Sequence, residues 1–499
     1  MLFFPTTDED AAYFRSQGYT GSINDMHFKA LGDLGYTGSL NDRIRACLTF
    51  KYGSYYEAMK DLRNGTSVFA LSSYIINNFD PALVFDFKNA YFRKSATTST
   101  FGASITHTRA SSATMVNSSG NLVTVGNNVP RTGHHIYNGS AWVNEGILHE
   151  SEARTNLLTY SNDLTGAAWL NSANSNTANA GVSPDGTSNA NKVVPTTSSG
   201  SHYTYRDLSL TSAHHSVSVY VASAGYGFAT ISVGFGGTNN YYAVVIDLSD
   251  GTQTALYSAG AQSKTATVEP VGSFYRVSIS GDGERFFIVG ASDTGTYTPS
   301  AYGFKSFQGD GTSGILVYGA QAEAGSRSSY IPTGSATATR AADLLTVPAA
   351  SLPYDNTNMS IQMDGKMTYA DTGGDNGKMF NWNLSNADTI YSMLSTFSAR
   401  TGALYWVQIA NSVSDSMIGP ATSYSPGTNV PFNFASRHGS TFLNGAIDGT
   451  ALTADTTPTA LPDLSSTDLT LGHGFMGTIG QFRMWDEDLT DAGIAEAST

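Results

Sequence analysis

Short runs of alternating apolar and polar residues dominate the chain from residue 216 onward. A first set of such runs lies at 216–221, 229–233, 241–246, 275–279 and 314–318. Successive side chains of a β-strand point to opposite faces of the sheet, so this alternation predicts strands with one buried face. Gly-Asp-Gly at 281–283 and at 309–311 predicts tight turns between strands. Together these features predict an antiparallel β-sandwich of the jelly-roll type.

A second set of alternating runs begins after Pro348 and Pro353. It lies at 359–363, 404–409, 433–435, 469–471 and 479–485. Residues 489–494 then predict one short helix, with Thr490 as its cap. The chain is therefore predicted to be mainly β, with two antiparallel jelly-roll or β-sandwich domains in series at 156–345 and 346–499.

The composition supports a folded protein with an uncharged surface. Only 13% of the residues are charged, against about 25% in an average soluble protein. With 51 Gly, the chain is rich in turns. The 27 Tyr, 25 Phe and 40% hydrophobic residues supply enough apolar surface to offset the entropy of ordering the chain.

Charge and cysteine content exclude several kinds of partner and site. The formal net charge of −14 repels phosphate backbones, and no basic stripe is present, so nucleic acid is not expected as a partner. Cys47 is the only cysteine, which excludes an intramolecular disulfide and a cysteine-based zinc site. No run of about 18 apolar residues and no signal-peptide pattern occurs, so we expect synthesis in a cytoplasm and no insertion into a membrane.

The amino-terminal region contains a tandem repeat. Residues 18–25, with the sequence GYTGSIND, return at 35–42 as GYTGSLND. The Ser and Asn-Asp positions resemble helix caps and the glycines end the short helices, so each unit predicts a turn followed by a helix. We predict an α-rich anchor at 1–75 and a strand-rich β connector at 76–155. The candidate residues for docking to a particle are Tyr19, Asn24, Asp25, Tyr36, Asn41 and Asp42.

Several motifs after the repeat resemble those of bacteriophage virion proteins. Within 83–158 these are VFDF at 84–87, ITHTRAS at 105–111 and EARTNLL at 152–158. Residues 156–343, closing with GAQAE at 319–323 and SYIPT at 329–333, resemble a jelly roll of the carbohydrate-binding-module type. The carboxyl-terminal part is similar to laminin-G or concanavalin-like domains through TFLNG at 441–445 and GTIGQFRMW at 477–485.

This resemblance implies a structural component of a tailed-phage particle. The expected type is a tail fibre or spike that docks by its amino terminus and presents lectin-like domains to host-surface glycan. The alternatives are a capsid-decorating or head-fibre protein and, ranked last, a glycan depolymerase. The implied partners are other virion proteins and further copies of the chain, as a trimer. The implied location is the virion, assembled in the host bacterial cytoplasm.

The sequence contains no motif of a known catalytic site. The Gly-x-Ser-x-Gly elbow and the phosphate-binding loop are both missing, and His149-Glu150 lacks the second histidine of a zinc protease helix. We therefore expect no enzymatic activity and no cofactor. Asp282 and Asp310, in their Gly-flanked turns, are the only candidate calcium ligands, and turn chemistry alone also explains them.

Aromatic residues next to amides are the candidate glycan contacts. An exposed aromatic ring covers the apolar side of a pyranose, while amides and carboxylates bind its hydroxyls. Tyr241, Tyr242, Tyr405, Trp406 and Gln408 offer this chemistry on predicted strands. The competing interpretation is ordinary core packing, because alternation lets only one of Tyr405 and Trp406 face outward.

Overall fold

The computed structural model describes residues 74–77, 79–95, 97–208, 210, 214–260, 264–283, 285–369, 377–396 and 398–499. The predicted anchor at 1–75 lies almost entirely outside these ranges. All six predicted docking residues, Tyr19, Asn24, Asp25, Tyr36, Asn41 and Asp42, lie outside them as well. No helix in the described part of the chain combines the length and apolar character needed to cross a bilayer.

The first described segment consists of short strands and a one-turn helix. Its strands are β1 (Leu83–Asp86), β2 (Tyr91–Lys94), β3 (Thr97–Ser99), β4 (Thr106–Thr108), β5 (Ala113–Val116), β6 (Leu122–Val125), β7 (Arg131–Thr132), β8 (His135–Tyr137), β9 (Trp142–Asn144), β10 (Ile147–Glu150) and β11 (Arg154–Asn156). The helix, α1 (Phe101–Ser104), lies between β3 and β4.

The described part of the central segment contains fourteen strands. They are β12 (Leu170–Ser172), β13 (Asn174–Gly181), β14 (Ala190–Pro195), β15 (Ser199–Ser201), β16 (Tyr203–Asp207), β17 (His214–Ala224), β18 (Phe228–Gly234), β19 (Tyr241–Asp247), β20 (Gln253–Ala259), β21 (Lys264–Val271), β22 (Phe274–Asp282), β23 (Phe286–Ser292), β24 (Ser306–Gln308) and β25 (Gly314–Ala324).

Among its described residues, the last segment contains twelve strands and the closing helix. The strands are β26 (Ala338–Arg340), β27 (Leu344–Val347), β28 (Asn358–Tyr369), β29 (Gly377–Ser385), β30 (Asp388–Leu394), β31 (Leu404–Ala410), β32 (Val413–Ile418), β33 (Gly427–Gly439), β34 (Leu443–Ile447), β35 (Thr450–Ala451), β36 (Leu469–His473) and β37 (Met476–Trp485). The helix is α2 (Thr490–Ala497).

The central segment folds into a jelly roll of two six-stranded antiparallel sheets. One sheet has the order β12-β16-β23-β18-β19-β20 and the other the order β13-β14-β25-β17-β22-β21. Alternation decides which side chains enter the core between them. On β18, Ile231 and Val233 are fully buried in that core, whereas the hydroxyl of Thr230 points outward and hydrogen-bonds the hydroxyl of Tyr297 at 2.7 Å. The runs at 216–221, 229–233, 241–246, 275–279 and 314–318 all fall on strands, as predicted.

The last segment forms a second sandwich. Its larger sheet follows the order β3-β2-β1-β37-β28-β33-β34-β35, with β10 also pairing with β37, and its smaller sheet the order β32-β31-β30-β29-β36-β27-β4. Aromatic and methionine side chains fill the core, among them Trp382 and Trp406 from the smaller sheet and Phe434 and Phe482 from the larger. The mainly β, antiparallel fold class is therefore confirmed.

The predicted connector at 76–155 is interwoven with the second sandwich. Strands β1 to β3, β7 and β10 belong to its larger sheet, and β4 completes the smaller one. Both β1 and β10 pair with β37, β1 along Gln481–Met484 and β10 along Met476–Ile479. Gly146 sits where one strand gives way to the other, with φ +98°, and a Cβ there would lie 2.2 Å from the Ile479 carbonyl oxygen. The two backbones are so close here that only glycine, which has no Cβ, can be accommodated.

Two hairpins from the same region, β5–β6 and β8–β9, connect the sandwiches. Leu122 of β6 packs against Tyr220, Phe274 and Tyr330 on the outer face of the jelly roll. The pair β11–β26 joins the start and the end of the jelly-roll segment. We call the region formed by these hairpins and the facing edges of the two sandwiches the junction.

The predicted closing helix is present, but its predicted cap is wrong. Helix α2 starts at Thr490, its N-cap is Leu489, and no side chain caps it. Instead, Asp488 Oδ1 accepts a hydrogen bond from the Thr490 amide at 2.8 Å. Trp485 is fully buried beneath this helix.

Candidate functional site

The five residues predicted to contact glycan do not form a site. Tyr241 and Tyr242 lie on the jelly roll, and Tyr405, Trp406 and Gln408 lie on the second sandwich. Tyr241 and Tyr242 are each only 6% exposed, and Trp406 and Gln408 are not exposed at all. The prediction is corrected for these four residues because a glycan in solvent cannot reach them.

The two fully buried members of this set make structural contacts within the second sandwich. The amide nitrogen of Gln408 donates to the carbonyl oxygens of Gly439 and Thr459 at 3.1 and 3.0 Å. Trp406 packs its ring on Gly445, where a Cβ would come within 2.3 Å of the indole. Tyr405 points the other way from Trp406 and is half-buried. Strand alternation thus placed the indole in the core and left only Tyr405 accessible.

The two candidate calcium ligands each serve a local role. Asp310 Oδ1 accepts hydrogen bonds from the amides of Thr312 and Ser313 at 2.8 and 2.7 Å, which is turn chemistry. Asp282 lies 3.2 Å from His214 Nδ1 at the end of β22. Across the described ranges, no cluster of three or more His, Cys, Asp or Glu side chains is arranged to hold a metal ion.

A cavity of about 300 Å³ opens at the junction. Strands β21 and β22 of the jelly roll form one wall, and hairpins β5–β6 and β8–β9 form the opposite one. Thr368, Asn429 and Met476 of the second sandwich close the end. Because its walls come from three separate parts of the chain, this site could not be predicted from a local sequence motif. We call it the junction cavity.

Two arginines line the jelly-roll side of the junction cavity. Arg276 on β22 is 4% exposed; its Nη2 donates to Ser218 Oγ at 3.0 Å and its guanidinium lies 5.4 Å from the centre of the Tyr220 ring. Arg327 Nη2 lies 2.6 Å from Glu269 Oε2. Burial, together with the neighbouring charge of Arg276, lowers the pKa of Arg327 although Glu269 opposes the shift. The guanidinium group of Arg327 nevertheless remains charged at neutral pH.

Glu269 links the two sandwiches across the junction cavity. It sits opposite Arg276 in the β21–β22 register. While one of its oxygens pairs with Arg327, the other accepts a hydrogen bond from Asn429 Nδ2 at 2.6 Å. Asn429 belongs to the second sandwich, so this contact fixes the width of the cavity.

His134 supplies a neutral donor to the wall. Its Nδ1 accepts a hydrogen bond from the Val116 amide at 3.1 Å, which places the ring proton on Nε2. Burial, reinforced by the positive charge of Arg131, lowers the pKa of His134 to about 3. The ring is therefore uncharged at neutral pH.

Tyr137 and Trp142 form an aromatic rim on hairpin β8–β9. Their ring centres are 5.3 Å apart, and Tyr137 is 37% exposed. The indole of Trp142 rests on Gly120, where φ is +80° and a Cβ would lie 2.3 Å from the ring. A side chain at position 120 would displace the indole, so this glycine holds one wall of the rim in place.

A buried ion-pair network lies next to the junction cavity, which Glu150 lines. It consists of Arg109, Arg131, Glu150, Arg340 and Asp343, all at most 3% exposed, and we call it the junction network. Arg109 Nη1 lies 2.9 Å from Asp343 Oδ1, and Arg131 bridges Asp343 and Glu150, the latter at 2.7 Å.

The electrostatics of the junction network keep its carboxylates ionised. Burial alone would raise the pKa of Glu150, but Arg340 and Arg131, together with hydrogen bonds from Ser329, outweigh it and hold the pKa well below the usual range. Ser329 donates to Glu150 through both its amide and its hydroxyl at 2.6 Å. Glu150 therefore borders the junction cavity as a fully engaged acceptor.

A second aromatic surface lies on the outer face of the jelly roll. The rings of Tyr205, Phe286 and Tyr302 are half-buried and contact one another at 5.8 to 6.1 Å between centres. Tyr302 has φ +55°, a conformation uncommon for a residue with a side chain. An exposed pair, Arg285 and Asp207, borders this surface at 3.2 Å.

No protein-family model matches the chain. No curated protein matches it either. Among solved structures, a leech intramolecular trans-sialidase is 18% identical over 29% of this chain and 23% of its own, with a TM-score of 0.24. The carbohydrate-binding module CBM40 of a Ruminococcus gnavus IT-sialidase is 15% identical over 28% of this chain and 82% of its own, with a TM-score of 0.23. The binding domain of botulinum neurotoxin serotype D is 16% identical over 31% and 39%, with a TM-score of 0.25. At such scores these matches carry no argument about a ligand, and the fold rests on the sheets of the chain itself.

Proposed function

We propose that this chain is a non-enzymatic structural protein of a bacteriophage particle that binds host-surface glycan. The observation that carries the binding proposal is the junction cavity, which combines an aromatic rim with a wall of hydrogen-bond donors. Ligand sites are concave and combine apolar surface with a few polar groups that fix orientation. A cavity of about 300 Å³ has room for a single sugar ring with its substituents.

The rim and the wall have separate tasks in this proposal. Tyr137 and Trp142 cover the apolar face of a pyranose, and Arg276, Arg327 and His134 donate to its oxygen atoms. Because the Glu269–Asn429 contact and the junction network hold the two sandwiches together, the cavity is formed before the ligand arrives. Preorganisation of this kind reduces the entropy lost on binding.

The carboxylates at the junction cavity support binding without hydrolysis. Glycoside hydrolysis uses one protonated carboxylic acid and one free carboxylate that flank the scissile bond. Glu150 is ionised and held by two arginines, and Glu269 is held by Arg327 and Asn429. Glu150 is therefore not available as the general acid at neutral pH, and both oxygens of Glu269 are already engaged.

The resemblance to phage virion proteins supports the location. In this proposal the region at 1–75 docks onto other virion proteins, and the chain assembles with further copies of itself, as a trimer. Several copies would turn weak binding at each junction cavity into firm attachment. A tail fibre or spike fits this role, and a head-fibre or capsid-decorating protein would use the same architecture.

Binding is tested with the full chain on an array of bacterial surface glycans. We expect wild type to bind a subset of the array and Trp142→Ala to lose that binding, because the rim ring is removed. Tyr205→Ala, which removes a ring from the second aromatic surface, serves as the matched control and should bind as wild type does. Loss of binding in Tyr205→Ala with retention in Trp142→Ala would move the site to the outer face of the jelly roll.

Location is tested by electron microscopy of phage particles labelled with an antibody against the second sandwich. Label at the tail tip or fibres is expected. Label over the head would favour the head-fibre or decoration alternative, and unlabelled particles in a preparation where the chain is expressed would contradict the virion proposal.

A further inference from the structure

In the junction cavity, the hydrogen-bond acceptors have partners, whereas some of the donors do not. Both carboxylates on its surface already have partners: Glu150 accepts from Arg131 and Ser329, and Glu269 from Arg327 and Asn429. The donors are not all paired. In the described part of the chain, the buried Nε atoms of Arg276 and Arg327 have no hydrogen-bond partner, as is also true of Arg131.

Arg276 is the more unusual of the two. It is more than nine-tenths buried, yet it makes no ion pair with any described residue within 4 Å, and its one hydrogen bond goes to the neutral Ser218. The buried Glu323 lies close enough to interact with its charge but keeps a raised pKa because burial dominates. Buried charges in proteins are normally paired, so an unpaired arginine on a cavity wall indicates a missing anion.

We propose that the junction cavity binds a sugar that carries a carboxylate, with Arg276 and Arg327 as the donors to that group. This inference rests on the proposed glycan-binding function and specifies its ligand class. Guanidinium groups suit a carboxylate because their parallel N–H groups match its two oxygens. His134 Nε2 and the aromatic rim are left to contact the hydroxyls and the ring of the same sugar.

The test is calorimetry on the full chain with two oligosaccharides that differ only in the terminal residue, glucuronate in one and glucose in the other. We expect the acidic ligand to bind at least about tenfold more tightly, since a charge-assisted contact is lost in the neutral one. Raising the salt concentration should weaken only the acidic ligand. A counterpart sulfated on the terminal sugar is the third ligand and should bind more weakly than the glucuronate.

Variants of the two arginines test whether they cause the preference for the acidic ligand. Arg276→Gln should bring the ratio of the two affinities close to one while the neutral ligand still binds, and Arg327→Lys, which keeps the charge but loses the forked donors, should reduce the ratio in part. Arg400→Gln, at an exposed arginine on the second sandwich, is the matched control and should keep the wild-type ratio. Thermal unfolding of each variant shows whether it is folded.

The outcomes separate this inference from the function it rests on. If wild type binds the glucuronate and glucose ligands with equal affinity, the proposed preference for a sugar with a carboxylate is wrong, whereas glycan binding itself is not contradicted. Tighter binding of the sulfated ligand than of the glucuronate also overturns the proposed preference. If wild type binds none of the three ligands, nor any acidic or neutral glycan of the array, the proposed function fails as well. These readings use wild type and do not depend on whether Arg276→Gln folds.

Discussion

The two sandwiches and the junction between them all bury side chains but are stabilised differently. The sandwich cores are apolar, with Val the most frequent residue in the jelly roll and Phe and Leu the most frequent in the second sandwich. The junction instead buries arginines and carboxylates in the junction network and one further arginine, Arg276, at the cavity. Apolar burial stabilises each sandwich, whereas removing one partner of a buried ion pair leaves an uncompensated charge where the sandwiches meet. The two kinds of region should therefore respond differently to substitution.

The largest expected effect is the loss of Asp343. Asp343→Ala leaves Arg109 and Arg131 buried without their common acceptor, and we expect a loss of about 3–5 kcal/mol in the free energy of unfolding. Denaturant unfolding followed by circular dichroism measures it. A loss below about 1 kcal/mol, as for an exposed ion pair, would mean that the junction network does not hold the sandwiches together.

Core substitutions provide the apolar side of the comparison. Ile231→Ala in the jelly roll and Met363→Ala in the second sandwich should each lower the free energy of unfolding by about 2–5 kcal/mol, through lost burial and the cavity left behind. Unlike Asp343→Ala, neither should change glycan affinity, since neither residue borders the junction cavity. A drop in affinity with no change in stability would contradict the separation of core from site.

Acidification is expected to lower the free energy of unfolding through two buried neutral histidines. Burial lowers the pKa of His149 to about 4 and that of His438 to about 3. The unfolded chain takes up the proton near pH 6.5 and the folded chain only far below it, so stability falls as the pH drops below 6.5. At pH 5.5 each histidine should account for about 1.4 kcal/mol.

His438→Gln is the variant that tests the pH effect. If the variant folds, its stability difference between pH 7.5 and pH 5.5, measured by denaturant unfolding, should be smaller than that of wild type by the contribution of one histidine. An unchanged difference would show that His438 is protonated in the folded state too.

The smallest effect belongs to a surface ion pair. Arg285 and Asp207 are 3.2 Å apart with side chains 53% and 37% exposed. Asp207→Asn should change the free energy of unfolding by no more than about 1 kcal/mol, because solvent screens exposed charges. A loss in the free energy of unfolding as large as that of Asp343→Ala would show that burial does not decide how much an ion pair contributes to stability.

The sandwich cores could be predicted from the sequence because alternation is a local signal. Ile231 and Val233 enter the core and Thr230 does not, as the pattern at 229–233 indicates. The same rule showed that Tyr405 and Trp406 face opposite ways but not which of them faces the core. Side chains of either face can be buried in a sheet covered on both sides, as Tyr241 and Tyr242 show.

The junction could not be predicted because its partners are far apart in the chain. Arg131 and Asp343 are ion-paired, and Glu269 and Asn429 are hydrogen-bonded, although each pair is separated by more than a hundred residues. Charged residues in isolation suggest a solvated surface, so nothing local marks Arg276 as buried. The arginine-containing motifs at 105–111 and 152–158 were recognised as a resemblance, and the structure shows the first of them contributing Arg109 to the junction network.

A crystal structure of the full chain with an array-selected oligosaccharide would show where the glycan binds. We expect a sugar ring in the junction cavity, against Trp142 and within hydrogen-bond distance of Arg276 or Arg327. A sugar bound on the outer face of the jelly roll at Tyr205 and Phe286, with the junction cavity empty, would contradict this expectation.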